Sequence, residues 1–268
     1  MKRKSFYTVS IIVLTIGFFL IEEYMFSEQP SLRSEEPENT TEKTNTFYLP
    51  TSTTNQVVHH NYYSLSYNEV YEQAEWVAYE LKKSDISSIN RKRPYFEVDP
   101  LVKTKSAHWR NYKNSGYDRG HFCPAGDRKF SIEAYNQTFY TSNISPQKHS
   151  FNSGVWNRLE QMVRRWAKRY DGVFVVTGGV LNSNLKTIGG EEVAVPDYFY
   201  KVILDNRKGD YKLIAFLVPH KETKEDLRNF VVPVDELEKL TGIDFFPELP
   251  DAIENKEEAS KGIRNWKF

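Results

Sequence analysis

The chain has 268 residues, 27% of them charged and 39% hydrophobic, and Tyr and Phe together occupy 34 positions. This suits one globular domain with residues to spare. A single cysteine, Cys123, excludes an intramolecular disulfide framework and argues against a thiolate zinc site.

In chain order, Lys2, Arg3 and Lys4 precede 16 uncharged residues, Ser5 to Leu20. Basic residues ahead of an apolar run mark the cytoplasmic side, so the remainder is expected to be exported. The run exits into Ile21, Glu22, Glu23 and Tyr24 without a small-residue cleavage pattern, so a retained membrane anchor is preferred to a cleaved signal peptide. Residues 27–56 are rich in Ser, Thr, Glu, Asn and Pro and cannot offset the entropy of ordering. The expected organisation is an anchor or signal peptide over 1–26, a linker over 27–58 and a folded domain over 59–268. That domain would lie outside the cytoplasm on a membrane anchor, or be secreted if the N-terminus is cleaved.

Apolar residues at Val70, Ala74, Val77, Ala78 and Leu81 predict a helix over 66–81, with Ser66 and Glu69 in capping-box spacing. A second, stronger helix is expected over 152–170. There Val155, Trp156, Leu159, Met162, Val163, Trp166, Ala167 and Tyr170 form one stripe, with Arg158, Arg164, Arg165, Lys168 and Arg169 outside it. Residues 174–180, 197–205 and 211–220 read as strands, and the segment following Val232 as a helix stopped by Gly242. Helices and strands do not alternate strictly, so the fold class is α+β with a mostly antiparallel sheet.

The formal net charge is zero, but it divides unevenly. Residues 91–170 carry 16 Lys or Arg against 6 Asp or Glu, whereas residues 171–268 carry 13 against 18. A local basic field of this kind suits a phosphate backbone, on which the total charge has no bearing.

Within the basic half, Asp118-Arg119-Gly120-His121 sets an acid, an arginine and a histidine side by side, followed by Pro124 and Asp127. A lone histidine in a half-buried strand is usually structural. Here Asn143, Asn152 and Glu160 follow at a spacing that puts His121 on one strand and Asn152 at a helix start. Phosphodiester hydrolysis needs a base to activate water, a cation against the developing charge, and a proton for the leaving oxygen. Histidine suits the first task near neutral pH, and Arg119 offers a planar fork to phosphate oxygens. Mg²⁺ keeps most of its waters, so one amide oxygen from Asn152 suffices as anchor. On a regular helix Glu160 lies roughly 12 Å beyond Asn152. Two side chains meeting one ion directly span only about 10 Å, against about 14 Å with a metal-bound water between them. Glu160 is therefore expected to reach the ion through water.

The blocks "YDRGHFCPAGD", "TFYTSNISPQ" and "FNSGVWNRLE" resemble the signature segments of the DNA/RNA non-specific endonuclease family, which includes endonuclease G and the secreted bacterial sugar-non-specific nucleases. The likeness runs from about His59 through "VFVVTGGVL" and "VAVPDYFYKVIL". It implies a ββα-metal (His-Me finger) core and metal-dependent cleavage of DNA and/or RNA leaving 5′-phosphate ends, with Mg²⁺ as cofactor and Mn²⁺ as a substitute. By motif position, His121 matches the general base, Asn152 the direct metal ligand, Asn143 a supporting asparagine, and Glu160 an outer carboxylate. Arg119 and Asp118 match the motif arginine and acid. A further substrate-binding arginine matches Arg93, with Arg91 as the alternative.

A rival reading is a membrane-tethered nucleic-acid-binding protein with a silent hydrolytic site. The full set Asp118, Arg119, His121, Asn143, Asn152 and Glu160 counts against it. Cys123 reads as a small buried hydrophobe. His59, His60, His108 and His149 read as surface or loop residues, and His59-His60 as a poor candidate for a zinc pair.

Overall fold

The computed structural model describes residues 46–268. Its frame is a seven-stranded antiparallel sheet built from β1 (Val57–His59), β2 (Ser64–Asn68), β3 (Gln73–Lys82), β6 (Gly172–Gly179), β9 (Tyr198–Asp205), β10 (Lys212–Pro219) and β11 (Val231–Val232), hydrogen-bonded in that order. Between β3 and β6 the chain makes a long excursion. It contains β4 (Asp118–His121), α1 (Ile132–Gln137), β5 (Ile144–Gln147) and α2 (Asn157–Tyr170). The hairpin β7 (Lys186–Ile188) and β8 (Val193–Val195) precedes β9, and α3 (Val234–Thr241) and α4 (Asp251–Glu258) close the fold. The expected α+β class with an antiparallel sheet is the one observed.

Both faces of the sheet are covered, so its central strands bury residues on both sides. Val175, Ile203, Ile214 and Phe216 face the α2 stripe of Leu159, Val163 and Trp166. Their neighbours Val176, Val202, Leu204, Leu213 and Ala215 face Val234, Leu237 and Phe245 on the other side. This is the period of two that a pleated strand imposes. α2 ends at Asp171 and α3 at Gly242, both left-handed, with φ of 63° and 71°.

Two expectations are corrected here. Residues 66–81 form no helix, because they make the second half of β2, a turn, and most of β3. Trp76 and Ala78 fill one core and Val77, Tyr79 and Leu81 the other. With both faces apolar the alternation disappears, and the remaining spacing mimics a helical stripe. Ser66 makes no capping box; its hydroxyl donates to buried Glu75 at 2.6 Å.

The folded unit also begins before His59. Phe47, Tyr48 and Leu49 pack on the second core, Tyr48 stacking on Phe174 at 5.0 Å between ring centres. The Thr51 carbonyl accepts from the Trp76 indole at 2.9 Å. Three consecutive apolar residues thus dock the end of the expected linker. The remainder of that linker and the apolar run Ser5–Leu20 lie outside the described residues.

Candidate active site

β4 and β5 pair antiparallel, Asp118 opposite Gln147 and His121 opposite Ile144. The helical segment follows at once, giving the strand–strand–helix unit the motifs imply. At Gly120 a β-carbon would stand 2.1 Å from the Gln147 side chain, so any larger residue would displace that amide.

Around His121, Phe96 and Phe139 form an aromatic platform. The His121 ring lies 5.7 Å from Phe96 and 5.0 Å from Phe139. The Arg93 guanidinium sits over both rings, at 5.2 and 5.6 Å, and Arg119 lies over Phe96 at 5.2 Å and Trp109 at 5.7 Å. Stacking fixes the planes of the two cations without using their N–H donors. Arg119 Nε and His121 Nε2 are buried with no hydrogen-bond partner among the described residues. Burial, reinforced by the Arg93 charge, pushes His121 down to about 3, so the imidazole is neutral and free to accept a proton. Arg93, Phe96, Trp109 and Arg119 line a cleft of about 970 Å³, with Arg91 and Tyr95 at its wall. Arg91 serves the backbone instead, donating to the carbonyls of Lys129 and Phe130 at 2.9 and 3.1 Å. Of the two candidates, Arg93 is the one beside His121.

At the helix start, Asp118 Oδ2 accepts from Asn152 Nδ2 at 3.1 Å and lies 2.9 Å from His149 Nδ1. With its nitrogen committed to the carboxylate, the Asn152 amide keeps its oxygen for another partner. Gln147, paired across from Asp118, has both amide atoms buried and unpartnered. The uncommitted amide oxygen of Asn152 is the donor chemistry a hard divalent cation accepts.

The helix carrying Asn152 departs from the regular one expected over 152–170. A turn at His149–Phe151 runs into a wide π-type stretch, Asn152–Trp156, with Gly154 non-helical at φ −95° and ψ −109°, before α2 begins. The 12 Å rise between Asn152 and Glu160 presumes a regularity that this stretch lacks, and such interruptions are frequent at functional sites. Glu160 lies on the first turn of α2 in a charge network. Its Oε2 accepts from Arg164 at 3.3 Å, Arg164 Nε donates to Asp127 at 2.6 Å, and the Tyr79 hydroxyl donates to Asp127 at 3.0 Å. Burial raises Glu160 to about 7 against the opposing pull of Arg164 and Lys201. Lys201 is itself buried over the Trp156 ring at 4.9 Å and lowered to about 8.

Asn143 holds the scaffold. Its fully buried amide accepts from Cys123 N at 2.8 Å and donates to the carbonyls of Cys123 and Thr138 at 3.0 and 2.9 Å, locking the loop after His121. Both of its amide N–H groups are thus taken up by the loop backbone. Cys123 is buried, and burial pushes its thiol up to about 12.

Sequence reasoning passed over Phe96, Phe139 and Trp109, which set the arginine planes, and Gln147, although it stands inside a quoted block. It also passed over His220, whose Nε2 accepts from Lys148 N at 2.7 Å while Nδ1 donates to the Pro196 carbonyl at 2.8 Å. His60 corrects its surface assignment: it is buried and bonded to Asp99 at 2.8 Å. His59 Nδ1 instead meets Ser64 Oγ at 2.9 Å, so the two histidines engage different partners.

The sequence model of the DNA/RNA non-specific endonuclease family matches residues 40–252. The chain belongs to that family. It is 38% identical over 220 residues to the mitochondrial nuclease EXOG of Xenopus laevis, covering 76% of this chain and 61% of that one. It is 34% identical over 210 residues to the mitochondrial nuclease of Saccharomyces cerevisiae, covering 69% and 63%. Among solved structures, a chain from the crystal structure of the EndoG/EndoGI complex superposes with a TM-score of 0.67 at 30% identity, covering 73% of this chain and 87% of that one. The match to both nucleases thus spans a little over three fifths of their length.

These relatives overturn the expectation of an exported, membrane-anchored domain. Both matched nucleases are named as mitochondrial. Among the described residues, which do not include Ser5–Leu20, no helix is long and apolar enough to cross a membrane.

Proposed function

We propose that this member of the endonuclease family is a metal-dependent, sequence-tolerant nuclease that hydrolyses phosphodiester bonds in DNA and RNA, leaving 5′-phosphate ends. The observation that carries the reading is the neutral His121 imidazole seated beside two guanidiniums on one aromatic platform. Arg93 and Arg119 would receive the phosphate oxygens, Arg119 through its unpartnered Nε. Their planes are already set by Phe96, Phe139 and Trp109, so little side-chain order is lost on binding.

In the free site His121 is a weak base, because burial and Arg93 both disfavour the imidazolium. A phosphate seated on Arg93 offsets that positive charge and raises the affinity of His121 for a proton. The base thereby strengthens when substrate arrives, and it takes a proton from the attacking water.

Asn152 would hold a Mg²⁺ ion directly through its amide oxygen, with Mn²⁺ as a substitute, and Glu160 would reach it through water. When bound, the ion would supply positive charge against the charge that develops on the phosphoryl oxygens and the leaving oxygen. Asp118 keeps the Asn152 oxygen forward by accepting from its nitrogen. Support for the indirect role of Glu160 comes from its engagement with Arg164, which occupies one carboxylate oxygen.

The basic segment 91–170 would give contacts led by the nucleic-acid backbone and weakened by salt. Part of that charge is spent internally, since Arg158 donates to the carbonyls of Thr223 and Glu225 and Arg164 pairs with Asp127. The test is incubation of the purified protein with plasmid DNA and with RNA, in Mg²⁺ or in chelator. Degradation of both without a sequence ladder, abolished by chelator, is the expected result. A single defined cut, or cleavage unaffected by chelation, would refute the proposal.

A further inference from the structure

The acidic half of the chain contains a second group of carboxylates, unrelated to the catalytic motifs. Asp235 and Glu238 lie one turn apart on α3 and face Glu258, the last residue of α4. One carboxylate oxygen from each lies within 4.8 Å of the other two. Glu258 is only 5% exposed, and its Oε1 is buried with no hydrogen-bond partner among the described residues. Burying a carboxylate without a partner is costly, and placing it at a helix C-terminus adds an unfavourable dipole. Asp244 and Glu254 add negative charge around the group. Among the described residues, no ion pair joins Asp235, Glu238 or Glu258 to a basic side chain, and Lys256 pairs with Glu257 at 3.3 Å. Glu238 is held in place, its Oε1 accepting from Phe245 N at 2.9 Å.

We propose that Asp235, Glu238 and Glu258 bind a calcium-sized divalent cation that staples α3 to α4. Three carboxylates with no nitrogen or sulfur among them select a hard ion. Ca²⁺ takes oxygens at about 2.3–2.6 Å, so ligands on its opposite sides stand up to about 5 Å apart. The three oxygens, within 4.8 Å of one another, lie close to that span, and small side-chain shifts would bring them onto one ion. α3 packs on the sheet face opposite α2, so this ion would act on the stability of the C-terminal helices and would be distinct from the one at Asn152.

The test is thermal unfolding of the full chain, freed of metal with chelator and dialysed, with and without millimolar CaCl₂. Calorimetric titration of CaCl₂ runs in parallel, on the parent, Asn152→Ala, Glu258→Gln and Asp235→Asn. The expected result is a rise in Tm of about 5 °C or more with Ca²⁺, retained in Asn152→Ala and lost in Glu258→Gln and Asp235→Asn. Glu258→Gln is nearly isosteric and removes a buried charge, so it should fold at least as well as the parent in chelator. Asp235 is half-buried and provides a second variant should that one fail. A Ca²⁺ shift that survives in the carboxylate variants, or no shift in the parent, would overturn the proposal. Neither readout depends on nuclease activity.

Discussion

Asp118 Oδ2 and Asn152 Nδ2 meet at 3.1 Å, joining the motif strand to the start of the helix across 34 residues of chain. This one bond decides which end of the Asn152 amide faces outward. Asp118→Asn removes the charge that orients the amide. Its activity should fall about 10- to 100-fold, with the half-saturating Mg²⁺ concentration raised and the KM for nucleic acid little changed. Rate measured against Mg²⁺ concentration checks this, and an unchanged metal requirement would count against the role of Asp118.

Arg91 and Arg93 should separate cleanly. Arg93→Ala loses a charge-assisted phosphate contact of about 1.5–3 kcal/mol, so kcat/KM should drop roughly 10- to 100-fold with little change in Tm. Arg91→Ala releases the carbonyls of Lys129 and Phe130, so its Tm should fall while the folded protein cleaves at close to the parent rate. The reverse pattern would exchange their assignments.

Asn143→Ala strands three buried backbone groups, each costing about 1–3 kcal/mol when left unpaired. Urea unfolding should show a large drop in midpoint, and the fraction that remains folded should keep its metal requirement. A fully stable but inactive variant would make Asn143 a direct participant in the chemistry.

The β4–β5–helix unit was legible because the quoted motif blocks carry it, and Asp118, Arg119, His121 and Asn152 all lie on it. What their side chains meet was less accessible. Asn143 reads as a site residue by position, yet its amide is consumed by Cys123 and Thr138, a fact of loop packing that spacing does not encode. The break at Gly154 was invisible because the apolar stripe continues through it. β3 was misread for the complementary reason, since two cores meeting on one strand erase the alternation that marks it. Phe47 to Leu49 were lost inside a polar run, where three apolar residues suffice to dock a segment.

Acid should destabilise the fold partly through His220, whose burial lowers it to about 4 from an ordinary 6.5. The unfolded chain then binds a proton that the folded chain does not, so stability falls as pH drops through 6.5 and continues to fall until about 4. Glutamine can accept from Lys148 N and donate to the Pro196 carbonyl without titrating. His220→Gln should therefore flatten the dependence of Tm on pH between those values. A slope equal to the parent's would remove His220 from the account.

The most direct test is the single-turnover rate of plasmid cleavage by His121→Ala, on protein whose Tm and nucleic-acid affinity match the parent. The account predicts a loss of about 10²- to 10⁴-fold in rate, with binding retained because Arg93 and Arg119 keep their places on Phe96, Phe139 and Trp109. A folded His121→Ala protein that cleaves at close to the parent rate would contradict it.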